Sequence, residues 1–325
     1  MKQLLLCLVT LLGVLPIFGQ EMSKKEKLFW EVFNTNNIES IKAFNKDDFI
    51  KNNYWFKKHP IIESIKMNNY NLVDYFLSES VRNTIEIDDR RGKDILEILA
   101  SEKQDEGVLY LLSKRTVISG EIILSIIKQC ANTKILDLLI QKTGDINNYI
   151  GNYSTYTLLS YSIIEGNDVY IEYLINKGCD LRKPYYTIKM GQLMYGEVVV
   201  IVKTPLDLLV EMKKSKFVDI IVKMNAKTFQ ELINEDDSYG LYLSNLFSEI
   251  RFPKYYTYDS IELKEFPREK SMTIRAIPKK TTVYLLDQSE KELAGDHYSL
   301  WYLVCTKDGI IGWAKNTKLF YPSEM

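Results

Sequence analysis

The 325-residue sequence predicts a multidomain chain: a mainly α array of repeated helix pairs over its first two thirds, then a small all-β barrel. Three observations predict it. Apolar pairs follow Thr157 and Thr204 at the same offsets of thirteen, fourteen, seventeen and eighteen residues. After Phe252-Pro253 the helical period gives way to short runs that alternate apolar and polar residues, a strand pattern. Near the C-terminus, Asp308-Gly309 separates two strand-like segments, a strong hairpin signal.

With 46% hydrophobic and 26% charged residues, 15 Gly and 8 Pro, the composition is that of a globular protein rather than a disordered or collagenous one. Lys plus Arg (42) nearly cancel Asp plus Glu (43), so no global field steers the chain to nucleic acid or to an anionic membrane. Residues 1–19 pair Lys2 with an apolar run from Leu4 to Phe18 and read as a signal peptide, cleaved after Gly19 to leave Gln20. That run is shorter than a membrane span, although an uncut N-terminal anchor is the competing reading. The expectation is export, to the periplasm or the cell surface. Beyond Cys7, the three cysteines Cys130, Cys179 and Cys305 are scattered and lack a C-x-x-C, which predicts buried thiols rather than a disulfide framework or metal cluster.

The repeat is clearest in Thr157-Leu158-Leu159, Gly166-Asn167, Leu174-Ile175 and Gly178-Cys179-Asp180, and in Thr204-Pro205-Leu206, Ile221-Val222 and Asn225-Ala226. His59-Pro60-Ile61 opens a third copy, and weaker ones start near Lys27, Asp94 and Ile122. Each Thr is placed to cap a helix that Pro can enter at its first position, and Gly or Asn suits the left-handed turn residue. The pattern resembles the ankyrin repeat. A tetratricopeptide or other helical-hairpin array shares the apolar spacing, but the T-P-L and G-C-D turns do not belong to the tetratricopeptide pattern. The resemblance implies about six helix-pair repeats over residues 24–226, closed by capping helices and a linker at 227–258.

The last two starts, Thr157 and Thr204, are 47 residues apart, and the surplus lies at 183–203, rich in Tyr and β-branched residues. It predicts a β-hairpin finger. Tyr185, Tyr186 and Tyr195 are candidate partner-binding residues, since aromatic side chains anchor interfaces; the competing reading is that the finger only covers neighbouring repeats.

In the last third, Trp301-Tyr302-Leu303-Val304, Asp308-Gly309 and Gly312-Trp313 resemble a bacterial SH3 (SH3b) domain, placed at 259–323, although the usual opening motif is replaced by Phe266-Pro267-Arg268. The resemblance implies a barrel that binds peptides, often of the cell wall, or stiffens a neighbour. Trp301 and Trp313 are its candidate contact residues, with burial in the small core as the alternative.

With only His59 and His297, no nucleophile elbow and no phosphate loop, no reaction class can be assembled, and no catalytic, cofactor or metal residue is predicted. The expected function is therefore a non-enzymatic protein-protein interaction scaffold of the bacterial envelope, binding through the repeat groove and finger. Cell-wall targeting through the barrel is the alternative, and the partner is a protein or a cell-wall peptide rather than nucleic acid.

Overall fold

The computed structural model describes residues 24–44, 59–77, 94–151, 154–190, 198–236, 238–249, 252, 254–289, 292–294 and 297–320. The signal peptide expected at 1–19 lies outside them, as does Tyr195. The chain divides into two compact units, the first ending at Arg115 and the second beginning at Thr116.

In the first unit the described helices are α1 (Lys24–Asn34), α2 (Ile38–Lys42), α3 (Pro60–Lys66), α4 (Tyr70–Phe76), α5 (Ile95–Ser101) and α6 (Asp105–Lys114). Local chemistry sets their starts. His59 accepts the Ile61 N–H through Nδ1 while Pro60 occupies the first turn, where its missing donor costs nothing. Asp94 closes a capping box with Glu97, and its second oxygen accepts from Arg115 Nη1 at 2.8 Å in a buried ion pair. Between paired helices, Asn68 adopts a left-handed φ of 54°.

The second unit opens with α7 (Gly120–Gln129), α8 (Thr133–Thr143), α9 (Leu158–Ile164) and α10 (Asp168–Asn176). Strand β1 (Ser154–Thr155) precedes α9 and joins the hairpin β2 (Tyr185–Met190) and β3 (Val198–Lys203) in a three-stranded antiparallel sheet. Then come α11 (Pro205–Glu211), α12 (Ser215–Lys223), α13 (Phe229–Glu235) and α14 (Tyr239–Glu249). Thr157, Thr204 and Thr228 each close a capping box, and Asn167, which caps α10, also donates to the Ile127 and Cys130 carbonyls.

The remaining strands are β4 (Lys254–Thr257), β5 (Ile261–Lys264), β6 (Thr273–Ile277), β7 (Thr282–Gln288), β8 (Glu292–Ala294), β9 (His297–Ser299), β10 (Trp301–Thr306), β11 (Ile311–Lys315) and β12 (Leu319–Phe320). Seven of them form one antiparallel sheet in the order β12-β4-β7-β10-β11-β5-β6, and β8 pairs with β9 apart from it. Gly309, at φ 83°, makes the β10–β11 turn.

The expected fold class, a mainly α ankyrin solenoid followed by a separate small all-β barrel, is corrected here. The chain is a mixed α/β structure, and its large sheet shares one core with helices and hairpin. Tyr186, Val200 and Val202 of the finger, Leu232 of α13, Leu243 and Phe247 of α14, and Val283, Leu285 and Val304 of the sheet are buried in a single cluster. The physical reason is the apolar face of α14, which the sequence reading treated as a cap and linker. That face lies on the sheet: a Cβ on Gly240 would stand 1.9 Å from the Gly309 carbonyl oxygen, and Ser244 Oγ donates to the Lys307 carbonyl at 2.8 Å. Such contact of backbones requires glycine on both sides.

Candidate functional site

Strand pleating builds the site. Directly opposed residues in an antiparallel sheet share a face, as do residues two apart along a strand. Lys254 of β4 is opposite Tyr284 of β7, which is opposite Cys305 of β10. One rung away, Tyr256 is opposite Thr282 on one side and Phe320 of β12 on the other. Helix α14 covers part of this face, placing Phe247 5.9 Å from the Tyr284 ring, and a cleft of about 340 Å³ remains between them. Its floor is Lys254, Tyr256, Thr282 and Tyr284, its roof Ser244, Asn245 and Ser248, and Lys307 closes one end.

The lining contains two ammonium groups and no carboxylate. Neither Lys254 nor Lys307 makes an ion pair among the described residues, whereas Lys264 and Lys318 of the same sheet region face Glu262 and Asp259. Lys307 lies in the turn that follows β10, and both lysines line the cleft. Tyr284 is 1% exposed, and its phenol has no hydrogen-bond partner among the described residues. Burial raises its pKa, the neighbouring Cys305 adding to the effect, so it is a neutral donor at pH 7. The cleft is thus set up to receive negative charge: two cations, with hydroxyl and amide donors around them.

A larger cleft of about 470 Å³ lies near the start of α7, with Lys142, Tyr149 and Lys183 in its wall. There Lys183 already lies over the Tyr149 ring at 4.5 Å, and the Tyr149 phenol donates to the Pro184 carbonyl.

The residues singled out from sequence fall elsewhere. Tyr186 is 2% exposed, enclosed by Tyr149, Phe247 and Phe252, and Trp301 is 3% exposed. Tyr186 belongs to the shared cluster, while Trp301 is buried outside it with Lys315 over its ring at 5.7 Å, as the alternative reading of the tryptophans had it. Tyr185 is half-buried, stacked on Tyr156 at 5.0 Å, and Trp313 is half-buried against the core. Cys130, Cys179 and Cys305 are free and buried, and burial pushes the Cys179 and Cys305 thiols up to about 12, with Asp180 and Asp308 adding to the shift. Among the described residues no group of His, Cys, Asp and Glu is arranged to hold a metal ion, and no helix is long and apolar enough to cross a membrane. Sequence reasoning missed the cleft because Lys254, Tyr256, Thr282 and Tyr284 read only as alternation; their meeting depends on strand order, which no motif announces.

No family model matches the sequence, and no curated protein matches it. Among solved structures the chain resembles one in the complex of the Bd0816 predatory endopeptidase from Bdellovibrio bacteriovorus with immunity protein Bd3460. Identity is 17%, the match covers 62% of this chain and 99% of that one, and the TM-score is 0.40. The expectation of a non-enzymatic envelope scaffold is not kept, since none of these comparisons supports it. A likeness this distant assigns no activity in its place.

Proposed function

We propose that the second unit is a receptor for a small phosphate-bearing ligand, held in the cleft between α14 and the large sheet. The observation that supports this most is the pair Lys254 and Lys307, without ion pairs among the described residues, in a cleft without carboxylates beside the unpartnered phenol of Tyr284. A tetrahedral dianion suits such a lining better than a carboxylate does. It offers more acceptor oxygens to the surrounding donors, and lysine serves phosphate as a point charge without bidentate geometry.

The test is a binding isotherm of the full chain with inorganic phosphate at low salt, repeated with Lys254→Gln and Lys307→Gln. A charge-assisted hydrogen bond is worth about 1.5–3 kcal/mol, so each substitution is expected to weaken binding by about tenfold or more. Saturable binding that both substitutions leave unchanged would sink the proposal, as would no binding at all.

A further inference from the structure

The anion cleft does not end at Tyr256. Phe320 lies directly opposite Tyr256 across the strand pair, and Tyr258 follows in the bend just after β4. The Tyr256 and Phe320 rings are stacked, with centroids 5.6 Å apart and planes 30° from parallel, and Tyr258 meets Phe320 edge-on at 6.5 Å. Helix α14 leaves this end of the face open: Tyr258 is 63% exposed and Phe320 45% exposed. Lys279 lies over the Tyr258 ring at 5.5 Å, adding a cation to the rim of the shelf.

Solvent-exposed aromatic rings at a sheet edge are costly to leave uncovered, and a shelf of them adjoining a cationic cleft matches one kind of ligand in charge and shape. Resting on the phosphate reading above, we infer that the ligand is a nucleoside monophosphate or a nucleotide built on one, its phosphate between Lys254 and Lys307 and its base stacked on the Tyr258–Phe320 shelf. Every nucleobase has a π-face, so a shelf of this kind holds a base by stacking, with little sequence preference. Tyr256, which lines the cleft and stacks on Phe320, joins the phosphate end to the shelf.

The experiment compares inorganic phosphate, ribose 5-phosphate and AMP by calorimetric titration of the full chain, with Tyr258→Ala and Phe320→Ala alongside. Both positions are exposed, so neither substitution removes core. AMP is expected to bind about tenfold or more tightly than ribose 5-phosphate, from stacking of one base, and each alanine variant to abolish that margin while leaving phosphate affinity unchanged. Equal affinities for AMP and ribose 5-phosphate would overturn the nucleotide inference and leave the phosphate reading standing. An AMP advantage that survives both alanine substitutions would overturn the shelf. Failure of all three probes to bind would remove the phosphate reading itself.

Discussion

Replacing Gly240 by alanine should destabilise the protein, although in most helices the same change does the opposite. In a helix interior alanine is favoured over glycine by about 0.5–1 kcal/mol, because glycine has more backbone freedom to lose on folding. Gly240 lies in the first turn of α14, without a positive φ, so nothing local forbids a side chain. What forbids it is the sheet: the new Cβ would stand 1.9 Å from the Gly309 oxygen and 2.9 Å from its carbonyl carbon, and these are backbone atoms that cannot rotate away. Relief requires α14 to lift, which loosens the Ser244 hydroxyl from the Lys307 carbonyl and the Cys305 thiol from the Gly240 carbonyl. Overpacking of a core by one methyl costs about 1–3 kcal/mol, and the rigidity of the obstacle puts this site at the upper end, so a net loss of about 2 kcal/mol is expected after the helix gain is subtracted. Urea unfolding of the variant beside Leu241→Ala, an exposed neighbour, measures it. A midpoint equal to or above that of the parent protein would show that α14 does not bear on the hairpin turn, and the shared core would fall with it.

Three further outcomes follow from the same structure. Burial of His59 holds its pKa at about 4 against 6.5 in the unfolded chain, and its Nε2 is sealed without a partner. The unfolded state therefore binds the extra proton first, and stability falls as pH drops from about 6.5 to 4, by at most about 3 kcal/mol. His59→Asn, which keeps a capping side chain, should flatten that slope in urea midpoints taken at pH 7 and pH 4.5. Tyr186→Ala should cost about 3–5 kcal/mol in thermal unfolding, as expected of a buried aromatic, where an interface residue would cost almost nothing. Arg115→Met leaves the Asp94 carboxylate buried without its partner and should cost about 3–5 kcal/mol, measured by the same unfolding assay.

Much of the local structure was legible in the sequence, and the assembly was not. Threonines 157 and 204 cap helices as the spacing predicts, and Asn225 takes the left-handed turn position with a φ of 60°. These features depend on a few consecutive residues, so a sequence displays them. The finger at 183–203 was visible as alternation, but which of its faces turned inward was not, because Tyr185 and Tyr186 are chemically alike and only Tyr186 meets Phe247 and Phe252. Likewise Gly240 read as an ordinary helix residue and Gly309 as an ordinary turn residue; that each is glycine for the sake of the other is a fact of tertiary contact. The candidate site was illegible for the same reason. Lys254 and Lys307 are far apart in the chain, and β7 alone, by pairing with β4 on one side and β10 on the other, brings them to one face.

The measurement that bears most directly on the cleft is residue-resolved: an amide ¹H–¹⁵N titration of the full chain with inorganic phosphate. The account predicts that Ser244, Asn245, Thr282, Tyr284 and Lys307 shift together with one saturation curve, while amides of the first unit stay fixed. Shifts clustered around Lys142 and Lys183 instead, or scattered over surface lysines without saturation, would contradict it.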